Sequence, residues 1–222
     1  MNYDLNNVSV NGRKPAFATA DWHIGHQNSI LFDSRPFKDL DDMHRSLIKN
    51  YNSQVPPNGI CYFLGDIATH SSELAKEVIS QLNGTKVIIV GNHDKNYNSL
   101  YNIGFDVVLN TATIYISGNK VTMSHCPLRG IVREATEGMK GAIIGDCWHG
   151  ESRHQAFSLE NEGQFHLHGH IHSPNGGKST KILNRQMDVG VPANKYKPVP
   201  FSEIDSWIMK TLYEEKQALI KG

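Results

Sequence analysis

The chain is long enough, at 222 residues, for one domain with a sizeable core, and 22 Lys+Arg against 22 Asp+Glu leave no formal net charge. That balance argues against bulk electrostatic binding of long nucleic acid, but leaves room for small anionic ligands. No apolar run approaches the roughly 18 residues of a membrane span, the N-terminal MNYDLNNVSVNG lacks an apolar signal core, and the three cysteines (Cys61, Cys126, Cys147) have no paired spacing, so the chain reads as cytoplasmic and reduced.

In chain order, β-branched and aromatic runs predict strands at Ala16–Ala20, Ile60–Leu64, Lys86–Val90, Phe105–Leu109, Thr111–Ile116, Val121–Ser124, Phe165–His168 and Met187–Val191. Gly118-Asn119 suits a tight hairpin turn. Helical period predicts helices over Asp39–Tyr51 and Ser72–Leu82, the second with Ser71 or Ser72 as its N-cap. The alternation predicts an α+β fold with α/β-type layers, in which two sheets pack together and helices lie outside. Residues 1–222 are read as a single domain. Pro127–Gln164, long and Gly-rich, is a candidate lid, and Ser173–Gln186 a polar loop.

The polar residues fall in a pattern. Each of five apolar runs ends on groups able to bind metal: Asp21-Trp22-His23, Gly65-Asp66, Gly91-Asn92-His93-Asp94, His125, and Gly169-His170-Ile171-His172. In α/β sheets, ligands bind in the crevice beyond the carboxyl ends of the strands. A strand ending in Gly-Asp alone is ordinarily a turn; five such ends in one chain make coincidence a poor explanation. The donor set is Asp, Asn and His without thiolate, which favours Mn, Fe, Zn, Co or Ni over a structural Cys-type zinc site and over Mg or Ca. Seven protein donors exceed one tetrahedral ion and suit two divalent ions sharing a carboxylate. Two such ions about 4 Å apart clamp the attacking and leaving oxygens of an in-line displacement. With two aspartates and one hydroxide they leave a formal charge of about +1, fit for an anionic substrate.

The series DxH, GD, GNHD, H, GHxH resembles that of the calcineurin-like metallophosphoesterases over roughly residues 16 to 200. The blocks DWHIGHQNSI, RPF and VGVPANKYKPVPF look like a small single-domain branch found in bacteria and phages. The resemblance implies two β-sheets between helices with the site at the strand ends. It also implies ligand roles: Asp21, His23 and His172 for a first metal, Asn92, His125 and His170 for a second, and Asp66 bridging. His93 would be the catalytic residue, donating a proton to the leaving oxygen or stabilising the phosphoryl group. The implied activity is hydrolysis of phosphomono- or phosphodiesters, nucleotides and cyclic nucleotides among them, by in-line attack of a metal-bridging hydroxide, with Mn the first choice of metal. The implied setting is a bacterial cell or phage-infected host, with a small phosphate ester as the partner.

Of the HLHGHIH stretch, His166 and His168 are read as strand residues rather than ligands. His26 and Arg129 are candidate substrate contacts, each weighed against an ordinary exposed side chain. Asp94 would orient His93 or cap the next helix, and Cys126 is expected to face away from His125. Thr69 stands where the protein Ser/Thr phosphatases resemble GDxxDRG, which sets that branch aside. Arg133, Trp148, His149, Arg153 and His154 are further polar or stacking candidates in the long segment. Two other readings stand beside the enzyme: a non-catalytic scaffold, expected to lose ligands or His93, and a small nuclease, since ADWHIG looks like the first motif of Mre11-type nucleases.

Overall fold

The structure is a computed structural model and describes residues 15–68, 71–129, 156–173 and 185–221. Thr69, most of the candidate lid, and Arg133, Trp148, His149, Arg153 and His154 lie outside the described residues.

Strands β1 (Ala16–Thr19), β2 (Ile60–Phe63), β3 (Thr85–Ile89) and β4 (Val107–Leu109) pair in parallel in the order β4-β3-β2-β1. A second sheet holds β5 (Ala112–Ile116), β6 (Asn119–Met123), β7 (Phe165–His168) and β8 (Gln186–Asp188) in chain order, with β5 antiparallel to β6 and the other pairs parallel. A two-residue strand, β9 (Val199–Pro200), closes the first sheet antiparallel to β1. The helices are α1 (Gln27–Phe32), α2 (Leu40–Asn52), α3 (Ser72–Ser80), α4 (Tyr97–Ile103) and α5 (Phe201–Lys221).

Alternation along the strands of the first sheet explains the layering. Ala16, Ala18, Tyr62 and Val87 face one way and join Ile114, Val121, Met123, Phe165 and Leu167 of the second sheet, with Ile204, Trp207 and Ile208 of α5. Phe17, Cys61, Phe63 and Ile88 face the other way and pack on Met43, Leu47 and Tyr51 of α2, Val78 and Ile79 of α3, and Leu100 of α4. A parallel sheet covered on both faces has to be apolar on both, as these strands are. Each large side chain so buried contributes about 1.5–3 kcal/mol. The expected α+β architecture of two packed sheets with helices outside is what the chain adopts.

Local differences have physical causes. The hairpin turn is Ser117-Gly118, one residue earlier than expected: both have positive φ (47° and 80°), and Asn119 already pairs with Ile116. Helices α2 and α3 begin at side-chain caps, Asp39 accepting from the Asp42 amide and Ser71 from the Leu74 amide. The sequence reading assigned no element to α1, α4, β9 or α5. Helix α1 is six residues long and its first turn has no side-chain cap, whereas α4 carries legible signals, an Asn96 cap and a left-handed Gly104 at its end. Proline confines β9 to two residues at the sheet edge. Among the described residues, no helix is long and apolar enough to cross a membrane.

Candidate metal centre

The two sheets meet at the carboxyl ends of their strands. Ala20, just after β1, bridges to Gly190, just after β8. The segments that follow also pair: Asp21 N–H donates to the Gly65 carbonyl, His23 N–H to Asp66, and Gly169 N–H to His125. The approach is close because glycine stands at the crossing points. A Cβ on Gly91 would lie 2.4 Å from Asp66 Oδ1, and one on Gly169 would lie 2.5 Å from Ala20 Cβ and 2.6 Å from Asp21 Oδ2.

This convergence gathers all seven predicted donors, in two sets. In the first, His23 Nε2 is 3.1 Å from His172 Nε2, which lies 3.5 Å from Asp21 Oδ1. In the second, His125 Nε2 is 2.9 Å from Asn92 Oδ1 and 3.1 Å from His170 Nδ1. Asp66 stands between them, Oδ2 at 3.8 Å from His23 Nε2 and Oδ1 at 3.3 Å from His125 Nε2. Asp21, His23, Asp66 and His125 are buried.

These separations fit metal ions. Donors about 2.1 Å from one ion lie about 3.0 Å apart at right angles and about 3.4 Å apart at the tetrahedral angle. Two imidazole nitrogens facing each other at 3.1 Å also need a proton or a cation between them, and the pattern occurs once in each set. Groups of Asp and His able to hold metal ions are therefore present. The backbone is committed to the arrangement. Among the described residues nine non-glycine residues have positive φ, and five of them are Asp21, His23, Asp66, His170 and His172. Such conformations cost of order 1–3 kcal/mol each and persist where the surroundings over-determine them. Asp and His tolerate them better than most residues, which suits these types to sharp turns after strands.

Further groups orient the donors. His125 Nδ1 donates to the Leu64 carbonyl at 2.7 Å, which turns Nε2 inward. His172 Nδ1 lies 2.9 Å from Asp33 Oδ1. Asp33 Oδ2 accepts from Arg35 Nε and Nη2 at 3.0 and 2.9 Å, and Arg35 in turn donates to the carbonyls of Trp22 and Asp21, each at 3.0 Å. One strut thus ties the ring of His172 to the backbone of the Asp21 segment. Sequence reasoning missed both members. The quoted RPF block holds Arg35, but nothing in its spacing announces a partner 139 positions from Asp33.

Charge follows the packing. Burial pulls the His23 imidazole down to about 3, despite the carboxylates of Asp66 and Asp21. Burial opposes charge on His125 and His172 too, but Asp66 beside His125, and Asp21 and Asp33 beside His172, outweigh it and push them up to about 9 and about 10. Burial likewise opposes ionisation of Asp21 and Asp66, yet His172 and His125 respectively hold them below the usual carboxylate range. The protonated imidazoles of His125 and His172 thus offset the negative charge of the neighbouring carboxylates.

The remaining predicted residues are placed as follows. His93 is half exposed at the rim; its amide donates to Asp66 Oδ1 at 3.0 Å, and its Nε2 is 4.0 Å from Asp66 Oδ2. The His26 ring lies 5.4 Å from that of His23. Arg129 makes an ion pair with Glu160 at 2.7 Å. Asp94 neither orients His93 nor caps a helix: its carboxylate accepts the amides of Gly91, Asp66 and Ile67 at 2.8–2.9 Å, and Asn96 caps α4. Cys126 does not face away. It lies beyond the end of β6, where strand alternation no longer applies, and its sulfur is within 4.8 Å of ring nitrogens of His125 and His170. Burial pushes its thiol up to about 12. His166 and His168 are buried strand residues of β7, His166 bonding Thr122 Oγ1 at 2.9 Å and His168 Nδ1 donating to the Gly169 carbonyl at 2.9 Å.

Fold and site define a two-sheet α+β protein with a convergent Asp/His centre able to hold metal ions. No family model matches the sequence. The chain belongs to the family of the gene 66 protein of Mycobacterium phage L5, to which it is 30 % identical over 195 residues, 79 % of this chain and 85 % of that protein. An uncharacterized protein of Methanocaldococcus jannaschii, MJ1445, is 41 % identical over 81 residues, 36 % of this chain and less than half (46 %) of that protein. Among solved structures, protein AQ665 of Aquifex aeolicus, of unknown function, shares the fold with a TM-score of 0.65, 24 % identity, and coverage of 87 % of this chain and 99 % of that one.

Proposed function

We propose that the protein is a calcineurin-like metallophosphoesterase that hydrolyses phosphomono- or phosphodiesters at a centre of two divalent transition metals, Mn first among them. The observation that carries this reading is Asp66, whose two oxygens face two separate donor sets, as a shared ligand must. Asp21, His23 and His172 hold the first ion, and Asn92, His125 and His170 the second. When bound, two such ions supply the Lewis acidity and the activated water of an in-line displacement. The chain supplies the rest. Buried neutral His23 offers a lone pair where a protonated imidazole would repel the ion. His93, at the exposed rim, is placed to meet the ester from solvent and to pass a proton to its leaving oxygen. The substrate is a small phosphate ester, in keeping with a chain of no net charge.

The test is turnover of p-nitrophenyl phosphate and of its bis ester by the Mn-loaded protein, before and after Asp66→Asn. The expected result is turnover of at least one ester, abolished by the substitution while the urea unfolding midpoint stays close to that of the parent. A chain that binds two ions yet cleaves neither ester is a scaffold, and the enzyme reading is then wrong.

A further inference from the structure

Four of the nine positive-φ residues that are not glycine lie outside the ligand set. Ser117 belongs to the β-hairpin turn; the other three are Ser34, Lys195 and Tyr196, with φ of 49°, 54° and 59°. All three line one open cavity of about 940 Å³, whose wall also includes His172 of the first donor set and Asp33 behind it. Strain of this kind gathers at ligand-binding sites, because ordinary packing selects it away. The segment is also held rigid. Asn194 Nδ2 donates to the carbonyls of Asp188 and Gly190, Tyr196 N–H donates to Val191, and the Tyr196 ring packs edge-on against Phe37 at 4.7 Å. The wall is therefore preorganised, and it carries the exposed side chains of Lys195 and Lys197. Of the acidic lining groups, Asp33 is already paired with Arg35 and His172, and Glu203 sits in the first turn of α5.

We infer that this cavity binds the organic part of the substrate, and that Lys195 and Lys197 select esters bearing a second phosphate-like anion beyond the one cleaved. The inference rests on the phosphoesterase reading for the position of the reacting phosphate. The volume lies at the upper end of the roughly 300–1,000 Å³ of ligand pockets, room for an ester of nucleotide size.

The test compares two chromogenic esters that differ only in the second anion: thymidine 5′-(p-nitrophenyl phosphate) and the same compound with a 3′-phosphate. The Mn-loaded parent is expected to prefer the 3′-phosphorylated ester at least 10-fold in kcat/KM, and Lys195→Glu/Lys197→Glu to lose most of that ratio. No preference in the parent, or the same preference in the variant, overturns the inference. In parallel, calorimetry follows thymidine 3′,5′-bisphosphate binding to both proteins with EDTA present. Should the parent cleave neither of these diesters, turnover of p-nitrophenyl phosphate and its bis ester decides the phosphoesterase reading separately, and binding alone decides the cavity. Binding at least 10-fold weaker in the variant upholds it; binding equal in both, or absent from the parent, overturns it.

Discussion

Replacing Asp33 by Asn removes one charge without changing shape. The carboxylate serves two donors with two oxygens: His172 Nδ1 at 2.9 Å on Oδ1, and Arg35 Nε and Nη2 at 3.0 and 2.9 Å on Oδ2. Asparagine has one oxygen, so one of these donors must face an NH₂ group in either amide orientation. The side chain of Arg35 is fully buried, so water cannot replace what is lost. Leaving a buried donor unsatisfied costs about 1–3 kcal/mol, more when it is charged. At the centre, loss of a carboxylate behind a metal-binding imidazole lowers metal affinity about 10–100-fold, equivalent to about 1.4–2.8 kcal/mol. The effect should be confined to the first ion, since Asp33 touches His172 and, through Arg35, the Asp21 backbone, but none of Asn92, His125 or His170. Calorimetric titration of Mn into metal-free parent and variant would read both sites. One weakened site beside one nearly unchanged is the expected pattern. Equal weakening of both, or of neither, would refute the strut as an organiser of the first site.

Three other outcomes follow from the same geometry. Gly169→Ala introduces a methyl group 2.5 Å from Ala20 Cβ and 2.6 Å from Asp21 Oδ2, so it should cost about 1–3 kcal/mol in urea unfolding and weaken the first metal site; parental values for both would show that the segments are not pressed together. In the metal-free protein, His125 and His172 are raised from 6.5 to about 9 and about 10. Their contribution is thus fully present below pH 6.5 and lost as pH rises through 9 to 10, so the apo unfolding free energy, read from urea titrations, should fall across that window by an amount of the order of a few kcal/mol, while Mn uptake at pH 7 releases protons measurable in buffers of different ionisation enthalpy. His93→Ala should lower p-nitrophenyl phosphate turnover by about 10²–10⁴-fold with Mn content retained; unchanged turnover would remove His93 from the reaction.

Much of this molecule was readable from its order of residues. Alternating or continuous apolar runs located eight strands, because burial on one or both faces leaves a periodic trace. The residues that converge between the sheets were visible because each follows closely after such a run. What escaped depends on contacts that sequence spacing does not encode. Asp33 and Arg35 sit in a short loop after a six-residue helix and gain their meaning only when His172 arrives from the far end of the chain. Asp94 resembled a helix cap and proved to be a collector of three backbone amides from two strand ends. Cys126 was misjudged by extending strand alternation past the last residue of β6. Helix α5 was missed although its signal was present: Phe201, Ile204, Trp207 and Ile208 follow Pro200 at helical spacing.

If seven side chains from five strand ends enclose two ions that share Asp66, an anomalous-scattering map from Mn-soaked crystals will show both. Two peaks about 3.5–4 Å apart are expected on either side of Asp66, one bounded by Asp21, His23 and His172 and the other by Asn92, His125 and His170. A single peak, or none at Asp66, would contradict this arrangement.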